Sequence, residues 1–217
     1  PAACARIVLE YMKDKPKRKA LDIGCAIGRS TFVLARGFDE VTGVDFSTRF
    51  IQEAQHLKEN GILRYTMPTE GELENFYEVK LSDFDLKEVA KKVSFWQADA
   101  CNLKPIYTEF DMIFGGNLID RLYDPKKFLD SLASRLNDGG MLILTSPYTW
   151  QEESTPKEKW IGGYKRDGED VTTLDGLKEI LGNAFDLIDV KDVPFVIQET
   201  ARKHQYTIAQ MTIWEKR

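Results

Sequence analysis

Short apolar runs alternate along the chain with segments whose apolar residues recur at three- and four-residue spacing. Ala3 to Met12 places Ile7, Val8 and Tyr11 on one side, the pattern of an amphipathic helix. "KALDI", Lys19 to Ile23, is a short apolar run ending at Gly24 and predicts a buried strand. Ser30 to Arg36 predicts a helix with Gly37 as its cap. Val41 to Asp45 predicts a second strand. Ser47 then N-caps a helix running to Asn60, with Phe50, Ala54 and Leu57 facing inward and Gly61 as the stop.

The rhythm breaks at Gly61. "ILRYTMPTEGELENFYEVKL" predicts a polar strand pair around a Pro-Thr-Glu-Gly turn, followed by a short helix from Leu86 to Lys92. Residues 61–92 are too few to bury a core of their own, which makes them an insertion in a single domain spanning 1–217. Alternation resumes with the strands "VSFWQAD" and "FDMIFGG". Asp124 and Pro125 start a helix. Phe128, Leu129, Leu132 and Leu136 keep helical spacing until "NDGG" ends the run. "MLILTS" is another buried strand, and a helix from Thr173 to Leu181 precedes "FDLIDV" and "QYTIAQMTIW". No helix separates those last two runs, so they pair as an antiparallel hairpin at a sheet edge. The whole pattern predicts an α/β fold: a doubly wound, mostly parallel sheet with helices on both faces.

Composition narrows the partners. The 217 residues carry 30 basic and 35 acidic side chains, a net charge of −5. That balance argues against a general nucleic-acid binder, which needs a basic stripe. The one basic cluster, "KDKPKRK", reads as a solvated helix end. Cys4, Cys25 and Cys101 are few, odd in number and never in CxxC spacing, so a reducing, cytoplasmic setting without a metal site is expected. No apolar stretch reaches about 18 residues, and no signal peptide is visible. The chain opens at Pro1 directly into a helical segment, as a trimmed protein or an excised domain would.

In open α/β sheets the ligand lies beyond the carboxyl ends of the strands, near the switch point. The first such loop is "LDIGCAIGRS". The dinucleotide pattern GxGxxG fails there, because Ala26 and Arg29 stand where glycines are needed. What remains is Asp22, Gly24 and Gly28 in D-x-G-x-x-x-G spacing. Asp45 ends the second strand and can accept two ribose hydroxyls. Asp99 ends the third. Taken singly, each acid serves equally well as a cap for the helix that follows. Together with the glycines they resemble the cofactor loops of class I S-adenosylmethionine (SAM) methyltransferases, with Ala26 in place of the usual middle glycine. The resemblance implies a Rossmann-like fold, SAM as cofactor and S-adenosylhomocysteine (SAH) as product. It further implies cofactor contacts from Asp22, Gly24, Cys25, Ala26, Gly28, Asp45, Phe46, Asp99, Ala100 and Asn117, with Asp99 and the following amide reading the adenine edge.

That family builds acceptor sites from the loops after the fourth and fifth strands, here "GGNLIDRLYDP" and the segment 146–172, and from additions such as 61–92. "YTWQEESTPKEKWIGG" and "LRYTMPTEGELENFYEV" resemble the methyltransferase module of ovothiol biosynthesis. This implies N-methylation of the imidazole ring of 5-thiohistidine (4-mercaptohistidine) to ovothiol A, and a partnership with, or fusion to, an iron-dependent sulfoxide synthase. The only histidines are His56 and His204, so the synthase's own metal site is absent.

The acceptor is a small zwitterion. Glu152 and Glu153 suit its ammonium by charge-assisted hydrogen bonds, though a glutamate pair also suits a solvated loop. Arg121, Lys159, Lys165 and Arg166 suit its carboxylate or thiolate. Tyr148, Trp150 and Trp160 either stack on the ring or pack the loop onto the sheet, and Gly162 and Gly163 close the same loop. If a ring nitrogen must lose a proton before attack, His204 is one candidate base, and Tyr148, Asn117 or the Glu152–Glu153 pair can orient or deprotonate the ring as well. A lone histidine on a turn is as readily just exposed, and His56 reads as structural. Alternatives are another small acceptor, or a SAM-binding module without catalysis.

Overall fold

The computed structural model describes residues 1–217. A seven-stranded sheet forms its centre, its strands running from edge to edge as 185–198, 204–216, 136–146, 110–116, 19–23, 40–45 and 93–97. Strands β1 (Lys19–Ile23), β2 (Glu40–Asp45), β5 (Val93–Gln97), β6 (Phe110–Gly116) and β7 (Leu136–Ser146) pair in parallel. β11 (His204–Lys216) runs antiparallel to β7 and to the edge strand β10 (Phe185–Gln198). The predicted architecture of a mostly parallel sheet ending in an antiparallel hairpin is the observed one.

Helices cover both faces. α1 (Ala2–Tyr11), α2 (Arg29–Leu34) and α3 (Thr48–Asn60) lie on one side, where Phe32, Phe38, Ile51 and Phe95 join the core. α4 (Pro125–Asp130) and α5 (Thr173–Leu181) lie on the other, over Leu21, Ile23, Ile113 and Trp214. Successive strand residues point to opposite faces, which is why each short apolar run feeds both cores.

Local signals set most boundaries. The Ser47 hydroxyl accepts the Phe50 N–H at the start of α3, and Gly61 ends it in the left-handed region at φ 73°. Thr172 and Asp175 form a reciprocal capping box on α5. Asp124 accepts from Lys127 N–H, with Pro125 in the first turn of α4.

Several expectations need correction. α2 ends at Leu34, and Gly37 is no left-handed cap; it lies under the Leu9 side chain. Phe50 is 45% exposed, and Ile51 takes the inward place beside Ala54 and Leu57, a rotation of one residue about the helix. A 3-10 turn over Glu88–Lys92 stands where a helix from Leu86 to Lys92 is expected, and a second one occupies Leu81–Phe84. α4 stops at Asp130; Leu136 already belongs to β7, opposite Phe110, and "NDGG" lies inside that strand. The glycines that resemble a helix stop mark a register shift between β6 and β7, with Gly139 at φ 71°.

β3 (Ile62–Glu70) and β4 (Leu73–Lys80) form their own two-stranded sheet, and β8 (Tyr164–Arg166) with β9 (Glu169–Val171) another, the latter unforeseen. The β10–β11 hairpin runs past the last paired residue of β7, since Gln210 is opposite Ser146. Its turn reaches the first hairpin, where Ala201 N–H donates to the Pro68 carbonyl at 3.1 Å. No helix is long and apolar enough to cross a membrane.

Candidate active site

The loop after β1 turns on two residues with positive φ, Gly24 at 74° and Ala26 at 47°, before Gly28 at 87° caps α2. A Cβ on Gly28 would lie 2.3 Å from the Phe95 ring, so both its conformation and its bareness are required. Ala26 occupies the left-handed region despite its Cβ, the physical reason a glycine is usual there.

Asp22 is 1% exposed and sits inside β1, beneath the loop. Its Oδ2 accepts from Ser30 Oγ at 2.7 Å and Thr31 Oγ1 at 2.6 Å, tying the start of α2 to the strand. Burial pushes its carboxyl up to about 6, against the pull of the two hydroxyls. It therefore shapes the loop from below. Cys25 is buried beside it, and burial first, then the Asp22 and Asp45 charges, raises its thiol.

Asp45 closes β2. Its Oδ2 accepts the Ala26 N–H at 2.9 Å and its Oδ1 the Ser47 N–H at 2.8 Å. A carboxylate offers about four lone-pair sites, so two remain for a vicinal diol. Asp99 lies two residues past β5, where Oδ1 accepts from Cys101 N–H and Oδ2 from the Tyr123 hydroxyl at 2.8 Å. The Asp99 carboxylate, through that hydrogen bond, pushes the Tyr123 phenol up to about 12.

Gly24, Asp45, Phe46, Asp99 and Ala100 line one cavity of about 390 Å³. Leu118, Arg121, Leu122 and Tyr123 from the loop after β6 complete it, together with Glu153 and Ser154 from the loop after β7. A cavity of this size, apolar in its walls and edged by two carboxylates with free lone pairs, suits a nucleoside-bearing ligand. The donor set thus fits SAM, with a carboxylate at Asp45 able to accept a diol and polar groups at Asp99 and Ala100.

The other expected residues divide. Asn117 follows β6 with φ 52°; its N–H donates to the Thr145 carbonyl at 2.8 Å, and its Oδ1 accepts from Thr145 Oγ1 at 3.1 Å. Tyr148 follows β7 with φ 56°, and its hydroxyl donates to Gln210 Oε1 at 2.9 Å. These two therefore stand at the ends of adjacent strands. Burial first, then the Asp120 and Asp192 charges, raises the Tyr148 phenol, which stays protonated at neutral pH. It can orient a ring or donate to it, but is a poor base.

Trp150 and Trp160 stack on each other at 5.9 Å. Their N–H groups donate to Thr173 Oγ1 at 2.9 Å and to the Thr155 carbonyl at 2.8 Å. Neither lines the cofactor cavity; here the two rings pack the loop. Gly162 allows the backbone to press against Thr172, where a Cβ would meet a carbonyl carbon at 2.4 Å, and Gly163 lies against Trp150. Glu153 reaches the cofactor cavity; Glu152 is exposed outside it. His204 is exposed at the far end of β11, about 20 Å of extended strand from Gln210. The structure does not bring it to Asn117 and Tyr148. His56 is exposed on α3, hydrogen-bonded to Asn60.

Sequence reading missed Asp120, Tyr123 and Gln210. Asp120 is 1% exposed within a polar-looking loop, and a buried carboxylate there has no local signature.

A doubly wound sheet with this strand order, a glycine loop after β1 and acids after β2 and β5 defines the class I SAM-dependent methyltransferase domain. A family model described as "Methyltransferase domain" matches residues 14–174. The chain belongs to that family. It is 25% identical over 177 residues to phosphoethanolamine N-methyltransferase 3 of Arabidopsis thaliana, covering 81% of this chain and 30% of that protein. It is 26% identical to phosphoethanolamine N-methyltransferase of Triticum aestivum, with 81% and 29% covered. The chain spans under a third of the length of these relatives. Among solved structures it is similar to the N-methyltransferase NodS from Bradyrhizobium japonicum WM9 in complex with SAH. There the TM-score is 0.58 at 16% identity, with 97% of this chain and 84% of that one covered. It is also similar to magnesium protoporphyrin IX methyltransferase from Synechocystis PCC 6803 with bound SAM, at TM-score 0.60 and 16% identity, with 100% and 79% covered. At such identities the likeness is one of fold.

Proposed function

We propose that this domain N-methylates a small polar acceptor, and that the acceptor is the imidazole ring of 5-thiohistidine, giving ovothiol A. The observation that carries the acceptor assignment is the pair of segments 63–79 and 148–163, whose sequence resembles the ovothiol module. Nitrogen as the target agrees with the names of the curated relatives, both N-methyltransferases. The reading carries with it a cytoplasmic setting and an iron-dependent sulfoxide synthase as the partner or fused domain that supplies the thiohistidine.

SAM, bound between Gly24 and Asp99, supplies an electrophilic methyl group. The chain's own part is to hold the acceptor nitrogen toward it with its lone pair free. Orientation of this kind accounts for about 7–11 kcal/mol in favourable cases. Asn117 and Tyr148 follow the carboxyl ends of β6 and β7, and Gln210 stands on β11 opposite Ser146, at the edge of the sheet where the cofactor loops also lie. Tyr148, as a protonated phenol, fixes the Gln210 carbonyl and leaves the Gln210 amide hydrogens free to donate. Free imidazole, with a pKa of about 6.5, is mostly neutral at pH 7 and its methylation releases the remaining ring proton to solvent; where the acidic thiol has protonated the ring, that proton leaves before the nitrogen attacks. His204 has no place in this mechanism.

The test is mass spectrometry of reactions containing SAM and one acceptor each: 5-thiohistidine, histidine or phosphoethanolamine. A singly methylated product from thiohistidine alone is expected. Methylation of phosphoethanolamine and not of thiohistidine would overturn the acceptor and leave the class intact.

A further inference from the structure

Two non-glycine residues at the acceptor side, Asn117 and Tyr148, are held in the left-handed region. Such backbone persists only where the surroundings over-determine it. At Tyr148 the surroundings converge on one carboxylate. Ser146 Oγ accepts the Tyr148 N–H at 3.0 Å and its hydroxyl donates to Asp120 Oδ1 at 2.8 Å. On the other side of Tyr148, the Thr149 N–H and the Thr149 hydroxyl both donate to Asp120 Oδ2, at 3.1 and 3.0 Å. Asp120 therefore grips the residue two before Tyr148 and the residue after it.

A cation completes the cage. Arg121 donates from Nη1 to the Thr149 carbonyl at 2.7 Å and from Nη2 to Thr149 Oγ1 at 2.8 Å, with Nη1 3.7 Å from the Asp120 carboxylate. Each hydroxyl thus receives from an amide or guanidinium and gives to the carboxylate, a directional network with Asp120 as the common acceptor. Asp120 and Ser146 are each 1% exposed, so water does not compete for these bonds. Asp120 itself lies outside the cofactor cavity, whereas the loop it grips carries Tyr148, Glu153 and Ser154.

We propose that Asp120 is the positioning residue of the acceptor site, acting through Tyr148 by locking the start of the loop after β7 onto the loop after β6. The inference rests on the methyl-transfer reading but not on thiohistidine as acceptor. Asp120→Asn keeps the shape, loses the charge and turns one acceptor oxygen into a donor that faces Ser146 or Thr149. With its oxygen toward Ser146, its NH2 meets the Thr149 N–H, another donor; with its oxygen toward Thr149, its NH2 meets the Ser146 hydroxyl, which loses the acceptor for its own hydrogen.

Two readouts test this, one of them independent of any acceptor. In hydrogen–deuterium exchange of the full chain with SAH bound, Asp120→Asn should speed exchange in the segment 147–150 at least tenfold, leave β1, β2 and β5 unchanged and keep SAH affinity within threefold. In turnover of 5-thiohistidine, kcat should fall at least tenfold with the KM for SAM unchanged. In a Tyr148→Phe background, Asp120→Asn should cost less than threefold further, because both changes act on one element. Wild-type exchange at 147–150 in Asp120→Asn would overturn the proposal, and so would a full additional tenfold loss in the Tyr148→Phe background. Absence of wild-type turnover would instead overturn the acceptor, with the exchange result still deciding the role of Asp120.

Discussion

On the cofactor side, at the ends of β1, β2 and β5, the turn itself is made within five residues, and Asp45 ties it to the end of β2 across 19 residues of chain. Gly24, Ala26 and Gly28 turn the backbone, and Asp45 receives amides from both its own turn and the glycine loop. On the acceptor side, shape comes from partners far apart in the chain. Asp120 holds Ser146 and Thr149, Tyr148 reaches Gln210, and Trp150 reaches Thr173. The first kind of site is a motif; the second is a consequence of tertiary packing. A domain built this way can keep one cofactor while its acceptor changes, because the loops after β6 and β7 can be re-tied without touching the glycine loop.

Substitutions in each half sharpen the contrast. The largest effect is expected from Gly28→Ala, which adds a Cβ 2.3 Å from Phe95 at φ 87°. Backbone strain and overpacking together should cost about 3 kcal/mol or more, read as a lower denaturation midpoint. Next is Trp160→Ala on the acceptor side. Losing a half-buried ring, its stacking on Trp150 and its bond to Thr155 should cost about 2 kcal/mol. SAH affinity should change little, since Trp160 does not line the cofactor cavity.

A smaller effect depends on pH. Asp22 titrates near 6 in the folded chain and near the ordinary aspartate value when unfolded. Its carboxyl is raised by folding, so the stability it contributes is full below the unfolded value and is lost as pH rises through 6. Between pH 7.5 and pH 5 the wild type should gain about 1.4 kcal/mol relative to Asp22→Asn, measured by urea unfolding at each pH. A parallel pH dependence in both proteins would show that Asp22 is not the group responsible. The smallest change, and the only gain, is Ala26→Gly. Removing a Cβ from φ 47° should stabilise by about 1 kcal/mol, offset in part by the freer unfolded chain.

The same contrast explains what could be read from the sequence. The parallel strands of the central sheet were legible as short, largely apolar runs, whereas the exposed three-residue strands β8 and β9 were not. Asp22, Asp45 and Asp99 were legible because their spacing to the strands is local. "NDGG" misled because leucine spacing remained helical up to Leu136, and only pairing with Phe110 makes Leu136 a strand residue. Phe50 misled because an inward face read from periodicity can be one residue out. Asp120 was invisible because its partners are 26 and 29 residues away. The tryptophans advertised a ring-binding loop, and in the structure each finds the other. His204 stood out only as a rare residue type, and it lies on an exposed strand end.

Asp45 is the residue through which the cofactor assignment is most directly tested. We propose that its carboxylate holds the ribose of SAM while anchoring the amides of Ala26 and Ser47. Calorimetric titration of SAH into wild-type protein and Asp45→Ala measures this without any acceptor. Loss of charge-assisted hydrogen bonds of about 1.5–3 kcal/mol predicts affinity weakened by roughly 10- to 100-fold. An Asp45→Ala protein that binds SAH as tightly as the wild type would contradict the cofactor site described.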